Sequence, residues 1–156
     1  DWETHLKTLR AWKDEGRIKY IGLTHYTRSA HDRLASIMSR ENVDFIQINY
    51  NMMDRNADQR LLPLAQDKRV AVLINQPFES GALFRQVKGK QLPPWTAEFG
   101  CNSWAQFFLK FVLANAAVTC VIPGTSKERH MFDNMGAAFG KLPSEKQRQQ
   151  MLKVIA

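Results

Sequence analysis

The fold is decided by Val121-Ile122-Pro123-Gly124-Thr125-Ser126-Lys127-Glu128-Arg129, where a short apolar run ends in a polar turn. Val118 to Ile122 are mostly β-branched and apolar, which predicts a buried strand. Pro123-Gly124 ends this strand, and Ser126 is placed to cap a helix that begins at Lys127. Such a joint predicts an anion site, because free backbone N–H groups and the helix dipole both face the turn. The pattern also suits an ordinary strand–turn–helix joint, so other segments have to decide between the two.

The composition is that of a single globular domain covering residues 1–156, because 44% of the residues are hydrophobic and 24% are charged. The two cysteines, Cys101 and Cys120, lack the C-x-x-C spacing of redox and zinc sites. This favours reduced thiols in a cytoplasmic protein without a metal centre. No apolar run approaches the ~20 residues of a membrane span and no signal peptide is visible, so no membrane partner is expected.

The formal net charge of +7 does not predict a nucleic-acid partner. Basic residues are scattered among acidic ones, as in the segment from Arg10 to Lys19, without a basic stripe or a base-stacking platform. Lys127 and Arg129 instead place positive charge at the predicted anion site. A small molecule that carries phosphate fits such localised charge better than a nucleic acid does.

Helix-like and strand-like segments alternate four times along the chain. Apolar spacing and the positions of glycine and proline predict four strands, over 18–23, 45–49, 70–74 and 118–122. The same spacing, with capping residues, predicts six helices. They cover 4–15, a segment that starts at Thr27 or Ser29, 56–66, a segment that starts at Ser103, a segment that ends near Ala138, and a segment that starts at Ser144. The run 70–74 is nearly all apolar, as expected of a parallel strand covered on both faces. The alternation predicts parallel strands joined by right-handed crossovers.

Two further segments lie between the third and fourth predicted strands. The connection over 75–102 is long and contains several glycines and prolines, which is typical of a lid or a binding loop. Ser103 and Gln106 have capping-box spacing, and Trp104 begins an aromatic stripe at i, i+3, i+4 and i+7 that we assign to the core. Four strand–helix units in 156 residues match half of an eight-unit barrel of ~250 residues.

Four motifs, in the same order, resemble the C-terminal half of the aldo-keto reductases. Residues 16–26, Gly-Arg-Ile-Lys-Tyr-Ile-Gly-Leu-Thr-His-Tyr, resemble the family's fifth strand and the turn after it. Residues 45–51, Phe-Ile-Gln-Ile-Asn-Tyr-Asn, resemble the sixth strand, and 77–83, Pro-Phe-Glu-Ser-Gly-Ala-Leu, resemble the loop after the seventh. Residues 122–126, Ile-Pro-Gly-Thr-Ser, with Asp133-Asn134, resemble the eighth strand and its helix. Together the motifs span nearly the whole chain.

The resemblance implies an α/β fold of the (β/α)8 TIM-barrel type, of which this chain supplies about four β/α units, strands five to eight, and the C-terminal helices. It implies an NAD(P)H-dependent oxidoreductase that reduces aldehydes or ketones, small carbonyl substrates, at the C-terminal mouth of the barrel. One alternative is a non-catalytic nucleotide-binding barrel or half-barrel that acts as a sensor or interaction module. Another is a phosphate-binding barrel enzyme of different chemistry, against which Gln47 and the long connection count.

The resemblance also implies which residues hold the nicotinamide. Gln47 matches the family's glutamine on the sixth strand, which binds the carboxamide. Thr24 and His25 stand where the family usually has serine and asparagine, and they keep a hydroxyl and a ring nitrogen for hydrogen bonding. Asn75 stands where many members have a tyrosine that stacks on the nicotinamide. Phe78 is close enough in sequence to replace that aromatic face.

The resemblance also implies cofactor contacts in the loop after the seventh strand, at Pro77, Phe78 and Ser80. It implies that the 2′-phosphate lies beside the eighth strand, near Gly124, Thr125, Ser126 and Asn134. The family's common lysine aligns with Gly124 and its common arginine with His130, so two expected charges are absent. Lys127 and Arg129 lie close by and are predicted to replace them. This predicts NADP(H) rather than NAD(H), because charge-assisted hydrogen bonds to phosphate are about twice as strong as neutral ones.

The family's catalytic tetrad of aspartate, tyrosine, lysine and histidine lies on its first four strands, and no matching motif is present in this chain. No catalytic residue is therefore assigned, and the chain alone is expected to be inactive. The expected partner is the N-terminal half of the barrel or a second copy, paired at two open sheet edges near 18–23 and 118–122.

Overall fold

A computed structural model describes residues 1–155, and these form one four-stranded parallel sheet with the strands in sequence order. The strands are β1 (Gly22–Thr24), β2 (Phe45–Asn49), β3 (Ala71–Asn75) and β4 (Cys120–Val121). All three neighbouring pairs are parallel. The α/β class with parallel strands is confirmed, and β1 and β4 are the two edge strands of the described sheet.

Helices connect and follow the strands. They are α1 (Trp2–Asp14), α2 (His31–Arg40), α3 (Leu61–Lys68), α4 (Ala82–Gln86), α5 (Trp104–Leu113), α6 (Glu128–Gly136) and α7 (Glu145–Ile155). Short 3-10 helices cover Arg28–Ala30, Asn56–Gln59, Glu79–Gly81 and Pro94–Phe99. The helix predicted over 56–66 is thus divided in two, because the backbone at Arg60 leaves the helical region with φ −145°.

The two faces of the sheet differ in burial. One face carries four fully buried side chains, Ile46, Ile48, Val72 and Ile74. The alternate residues of the same strands, such as Gln47 and Leu73, are only half-buried. Coverage of the run 70–74 on both faces is therefore wrong for the described residues, because side chains of a strand alternate between faces and only one face is packed. Cys120, predicted inside a buried strand, is exposed on β4.

The core lies between the buried face of the sheet and the helices, and α5 is its most deeply buried helix. All residues from Ala105 to Val112 are buried. The assignment of the aromatic stripe to the core is correct for Phe107, Phe108 and Phe111, which are at most 1% exposed. Trp104, at the start of α5, is half-buried and packs against this core at its edge.

β1 is shorter than the strand predicted over 18–23. Ile21 is buried, and its carbonyl accepts the N–H groups of Asp44 at 2.9 Å and Phe45 at 3.2 Å. Its own N–H donates to the Asp44 side chain, at Oδ2, at 2.9 Å. The Lys13 ammonium donates to the same oxygen at 2.7 Å. These two hydrogen bonds, that of Lys13 first, lower the pKa of Asp44.

The segment 121–129 folds as a strand, a turn and a helix, and the helix has a different cap from the one predicted. α6 begins at Glu128, and Lys127 is its N-cap residue without a side-chain cap. Thr125 Oγ1 accepts the Lys127 N–H at 3.2 Å, whereas Ser126 is exposed. The prediction that Ser126 caps the helix is wrong, because the hydroxyl of the preceding residue closes the turn.

The connection over 75–102 is an ordered part of the core rather than a free lid. It contains a 3-10 turn, α4 and a second 3-10 helix. Leu83, Val87 and Phe99 are buried in the core cluster. The cap predicted after this connection is present, since Ser103 Oγ accepts the Gln106 N–H at 3.1 Å.

Gly22 allows the close approach of β1 to β2, since a Cβ there would lie 2.5 Å from the carbonyl oxygen of Phe45. A backbone oxygen cannot move aside as a flexible side chain can. We expect Gly22→Ala to lower the free energy of unfolding by about 1–3 kcal/mol, measured by urea unfolding. Gly124→Ala is the control, because no neighbouring heavy atom lies within 4 Å of a Cβ there. Equal effects of the two substitutions would contradict this account.

Candidate functional site

A cleft of about 390 Å³ opens beside the carboxyl ends of β3 and β4. Its lining comes from the turn after β3, from α4, from the start of α5, and from the turn after β4 with α6. The lining residues are Phe78, Phe84, Ser103, Trp104, Ala105, Gly124, Thr125, His130, Asp133 and Asn134. The carboxyl ends of parallel strands are where α/β folds place their binding sites.

The lining is aromatic on the elements that follow β3 and polar on those that follow β4. The rings of Phe78 and Phe84 have centroids 4.9 Å apart, and Phe84 meets Phe108 edge to face at 5.3 Å. Trp104 stacks on Phe108 at 6.0 Å, and its indole N–H donates to the Lys90 carbonyl at 3.1 Å. Such a cleft can take a ligand with a flat apolar part and a hydrogen-bonding part.

Asn134 is the clearest sign that the cleft binds a ligand. Its side chain lines the cleft while the residue is only 7% exposed. Among residues 1–155, no side chain or backbone group hydrogen-bonds to its amide. The amide is accessible from the cleft, where it can exchange hydrogen bonds with a ligand or with water.

Gln106 of α5 holds Asp133, the neighbour of Asn134, against the cleft. Gln106 Nε2 donates to Asp133 Oδ1 at 2.8 Å and to the Asp133 carbonyl at 3.2 Å. Gln106 Oε1 accepts the Asn102 N–H at 2.9 Å. α6 packs so closely here that a Cβ on Gly136 would lie 2.5 Å from Gln106 Nε2.

Lys110, one helical turn further along α5, contacts the segment that follows α6. It is fully buried, and its ammonium donates to the carbonyls of Phe139 at 2.6 Å and Lys141 at 3.0 Å. Burial lowers the pKa of Lys110. The two carbonyls compensate part of the cost of burying this charge. Gln106 and Lys110 together fix α6, and with it the polar part of the cleft.

Thr24 and Gln47 are neighbours on the half-buried face of the sheet. They pair directly in the ladder between β1 and β2, and Gln47 pairs in turn with Leu73 on β3. The His25 N–H donates to the Gln47 carbonyl at 2.9 Å. The side-chain amide of Gln47 makes no hydrogen bond within the described part of the chain, so it is free to bind a ligand.

His25 is held within its own turn. Its Nδ1 accepts the Thr27 N–H at 3.2 Å and lies 3.1 Å from Thr27 Oγ1. Its ring stacks on Tyr26 with centroids 5.4 Å apart. Thr24 and His25 line a second cleft of about 390 Å³, which also includes Arg33. Thr24 and His25 therefore lie in a different cleft from Phe78, Gly124, Thr125 and Asn134, and Gln47 and Asn75 line neither of the two.

Asn75 ties the end of β3 to the turn after β1. Its Nδ2 donates to the His25 carbonyl at 3.0 Å. Its Oδ1 is buried and has no hydrogen-bond partner among the described residues. This position therefore offers an unused acceptor at the carboxyl edge of the sheet.

The turn after β3 has an unusual backbone. Gln76, Glu79 and Ser80 have positive φ values of 50°, 47° and 49°, which residues other than glycine rarely adopt. Pro77 is buried in this turn, whereas Ser80 is exposed. Strained backbone of this kind persists only where surrounding contacts over-determine it.

The charged and hydroxyl side chains at the start of α6 lie outside the cleft lining. Ser126, Lys127 and Arg129 are exposed. Neither Lys127 nor Arg129 makes an ion pair within residues 1–155. Of the residues predicted around this turn, the cleft brings together Gly124 and Thr125, with Phe78 and Asn134 from neighbouring segments.

Sequence reasoning missed several lining residues. Trp104 was assigned to the core, and Phe84 and Ser103 were not considered, because only packing shows that α4 and the start of α5 border the cleft. His130 and Asp133 lie inside the motif around Asn134, at i−4 and i−1. His130 and Asn134 are four residues apart, so the sequence could have indicated that both lie on one face of the helix.

Tyr50 and His31 are both engaged in hydrogen bonds with other residues of the described chain. Tyr50 is buried, its hydroxyl donates to Asp58 Oδ2 at 3.1 Å, and burial raises the pKa of Tyr50 to about 12. Both ring nitrogens of His31 are hydrogen-bonded, to Asn49 at 2.9 Å and Asn56 at 3.0 Å. Within residues 1–155, no group of three potential metal ligands occurs and no helix could cross a membrane.

Comparison with known proteins gives a consistent result over almost the full length. The sequence profile of the aldo/keto reductase family matches residues 1–151. An uncharacterised oxidoreductase of Schizosaccharomyces pombe is 31% identical over 137 residues, which are 88% of this chain and 42% of that protein. Pyridoxine 4-dehydrogenase of Escherichia coli is 27% identical over 86% of this chain and 44% of its own.

A third relative, NADH-specific methylglyoxal reductase of Escherichia coli, is 29% identical over 54% of this chain and 25% of its own. The chain thus spans less than half the length of these relatives. Solved structures agree on the fold: aldo-keto reductase AKR11C1 from Bacillus halodurans in its holo form has a TM-score of 0.74 and 22% identity, over 93% of this chain and 53% of its own. The thermostable aldo-keto reductase Tm1743 with epalrestat has a TM-score of 0.69 and 23% identity, over 96% and 53%.

Proposed function

This chain belongs to the aldo/keto reductase family, and from that membership we propose that it is the cofactor-binding half of an enzyme that reduces aldehydes or ketones with NAD(P)H. In this proposal residues 1–156 form one domain, the C-terminal half of a (β/α)8 barrel. The protein works in the cytoplasm, where its two free cysteines stay reduced. The substrate is a small carbonyl compound, and nucleic acid and membranes are not partners.

One observation carries the proposal: the cleft joins the side-chain amide of Asn134, which makes no hydrogen bond to residues 1–155, to an aromatic lining and to the turn before α6. A dinucleotide has the matching parts, namely flat bases and phosphates. Backbone N–H groups at the start of a helix favour phosphate. The half-buried face of the sheet adds the free amide of Gln47 and the orphan Oδ1 of Asn75.

These residues fit a nicotinamide cofactor. Its carboxamide can donate to Asn75 Oδ1 and exchange hydrogen bonds with Gln47, while Thr24 and His25 border the same edge of the sheet. Gly124, Thr125, Ser126 and Asn134 hold the adenosine and phosphate part, with Pro77, Phe78 and Ser80 on the turn after β3. When bound, the cofactor supplies the hydride that reduces the carbonyl carbon.

We propose NADP(H) over NAD(H), with Lys127 and Arg129 as the discriminating charges. Both side chains are exposed at the start of α6 and long enough to reach over the turn at Thr125. Since a relative is named NADH-specific, the choice of cofactor has to be decided by such local residues.

Titration of the full-length protein with NADPH and NADH tests this choice. Lys127→Ala and Arg129→Ala should each weaken NADPH binding by about 10-fold, since a charge-assisted hydrogen bond contributes about 1.5–3 kcal/mol, and leave NADH binding unchanged. Lys146→Ala on α7 is the matched control, an exposed lysine far along the chain. Equal affinities for both cofactors, unaffected by either substitution, would refute the assignment.

We also propose that no residue of this chain is the catalytic acid. The most buried tyrosine, Tyr50, has a raised pKa of about 12, which is the wrong direction for proton donation near neutral pH. A purified sample of residues 1–156 should not oxidise NADPH above background with aldehydes or quinones. Saturable turnover by that sample would show an acid in this half. Turnover that needs added N-terminal barrel sequence would support the proposal.

The edge strands favour association. β1 and β4 end the described sheet, and large apolar side chains are exposed near them, including Tyr20, Tyr26 and Ile122. Such edges promote strand pairing. We expect residues 1–156 alone to dimerise, or to bind an N-terminal barrel half when it is supplied. Light scattering at micromolar concentration measures this, and a stable monodisperse monomer would contradict it.

The alternative, a non-catalytic nucleotide-binding module, has a distinct outcome in these experiments. The full-length protein would bind cofactor with an affinity that depends on Lys127 and Arg129, yet it would show no turnover with any carbonyl substrate.

A further inference from the structure

Asn51 is a buried polar residue in the loop after β2, away from the cleft lining. It is 0% exposed, and all four hydrogen-bonding positions of its amide are used. Its Oδ1 accepts the N–H groups of Met53 at 2.8 Å and Asp54 at 2.9 Å, which closes its own turn. Its Nδ2 donates outward, to the Gln76 carbonyl at 3.0 Å and to Glu79 Oε2 at 2.6 Å.

The two outward hydrogen bonds end on either side of Pro77-Phe78. The same Gln76 carbonyl also accepts the Glu79 N–H at 3.0 Å, so the four residues form a closed turn. Gln76, Glu79 and Ser80 all have positive φ, and Gly81 follows with φ 85°. A side chain that grips both ends of a strained turn supplies the constraint that such a backbone requires.

The held turn presents Phe78 to the cleft. Phe78 packs on Phe84 at 4.9 Å and on Phe108 at 6.4 Å. If the turn relaxed to ordinary negative φ values, its chain direction would change at Gln76 and at Glu79, and Phe78 would leave this position. The neighbouring loop, through Asn51, therefore fixes an aromatic group that lines the candidate site.

We propose that Asn51 is a positioning residue for the cofactor site: its amide clamps the turn at 76–81 in the strained shape that places Phe78 in the cleft, and cofactor affinity depends on that clamp. The inference rests on the proposed function, since it takes the cleft to bind the cofactor. Asn51 does not touch the ligand; it acts through the turn.

Asn51→Asp removes the two N–H donors that bind the Gln76 carbonyl and Glu79, and it keeps the acceptor contacts within the turn after β2. The new carboxylate has nearly the same shape and still accepts the Met53 and Asp54 N–H groups. It also faces the Glu79 carboxylate across the former 2.6 Å contact, so the two charges repel. We expect this substitution in the full-length protein to raise the Kd for its preferred nicotinamide cofactor by about 10-fold or more.

A second variant separates clamping from general stability. The double variant Asn51→Asp with Glu79→Gln has the carboxylate at position 51 and the amide at position 79. The hydrogen bond between the two side chains is thereby restored, with position 79 as the donor and position 51 as the acceptor. Affinity should recover to within about 3-fold of the wild type. Gln76→Gly is the control for the turn itself, because glycine adopts a φ of 50° without strain and the backbone carbonyl that accepts from Asn51 is kept, so this variant should keep full affinity.

Hydrogen exchange supplies a readout that does not depend on the cofactor. The N–H groups of Glu79, Gly81 and Leu83 are hydrogen-bonded inside the turn, to Gln76 and Phe78 carbonyls. Their exchange should accelerate in Asn51→Asp, slow again in the double variant, and leave the β2 and β3 amides unchanged.

The outcomes are distinguishable. Faster exchange in the turn with an unchanged Kd would overturn the proposal, as would a loss of affinity that Glu79→Gln does not rescue and that accompanies faster exchange throughout the sheet. A wild-type protein that binds neither NADPH nor NADH would refute the proposed function itself, and the role of Asn51 in it, before any variant is compared.

Discussion

The in-register parallel pairing of four strands is the constraint on which the rest of this structure depends. Thr24 pairs with Gln47, Gln47 with Leu73, and Leu73 with Cys120. Because all four strands run the same way, every segment that leaves a strand starts from the same edge. The cleft, the strained turn after β3 and the turn before α6 are neighbours for this reason alone. A single reversed strand would move one of them to the opposite edge of the sheet.

Neutral amides connect the segments that the sheet brings together. Asn75 reaches from the end of β3 to the turn after β1, Asn51 from the loop after β2 to the turn after β3, and Gln106 from α5 to α6. An amide both donates and accepts, so each can tie two backbone segments without the large cost of burying a charge. Asn75 Oδ1 and the side-chain amides of Gln47 and Asn134 have no hydrogen-bond partner among residues 1–155, and they lie near the carboxyl edge of the sheet, where a ligand could bind them.

The sequence predicted the order of the strands and helices well. It predicted less well which side chains cap the helices, which are exposed and which contact distant segments. β2 was predicted at its observed bounds, because its apolar alternation and flanking residues are local signals. Ser126 was chosen as a cap over Thr125 although both are competent, and only the turn geometry decides between two adjacent hydroxyls. Trp104 fits the core stripe by spacing, yet its exposure depends on where α4 and α6 pack. The link from Asn51 to the turn after β3 gives no local sequence signal, since those two partners lie 25 and 28 residues away.

The lysine and arginine side chains near the candidate site lie outside the cleft lining. The cleft lining holds one carboxylate, Asp133, already hydrogen-bonded to Gln106, and one imidazole, His130, but no lysine or arginine. In the proposed function, aromatic and amide groups therefore bind the parts that NAD(H) and NADP(H) share. Lys127 and Arg129 lie outside the lining, at the positive end of α6, where the helix dipole opposes a cation unless an anion is near. A phosphate group that projects from the cleft would satisfy the charges and the dipole together, and a hydroxyl in its place would satisfy neither.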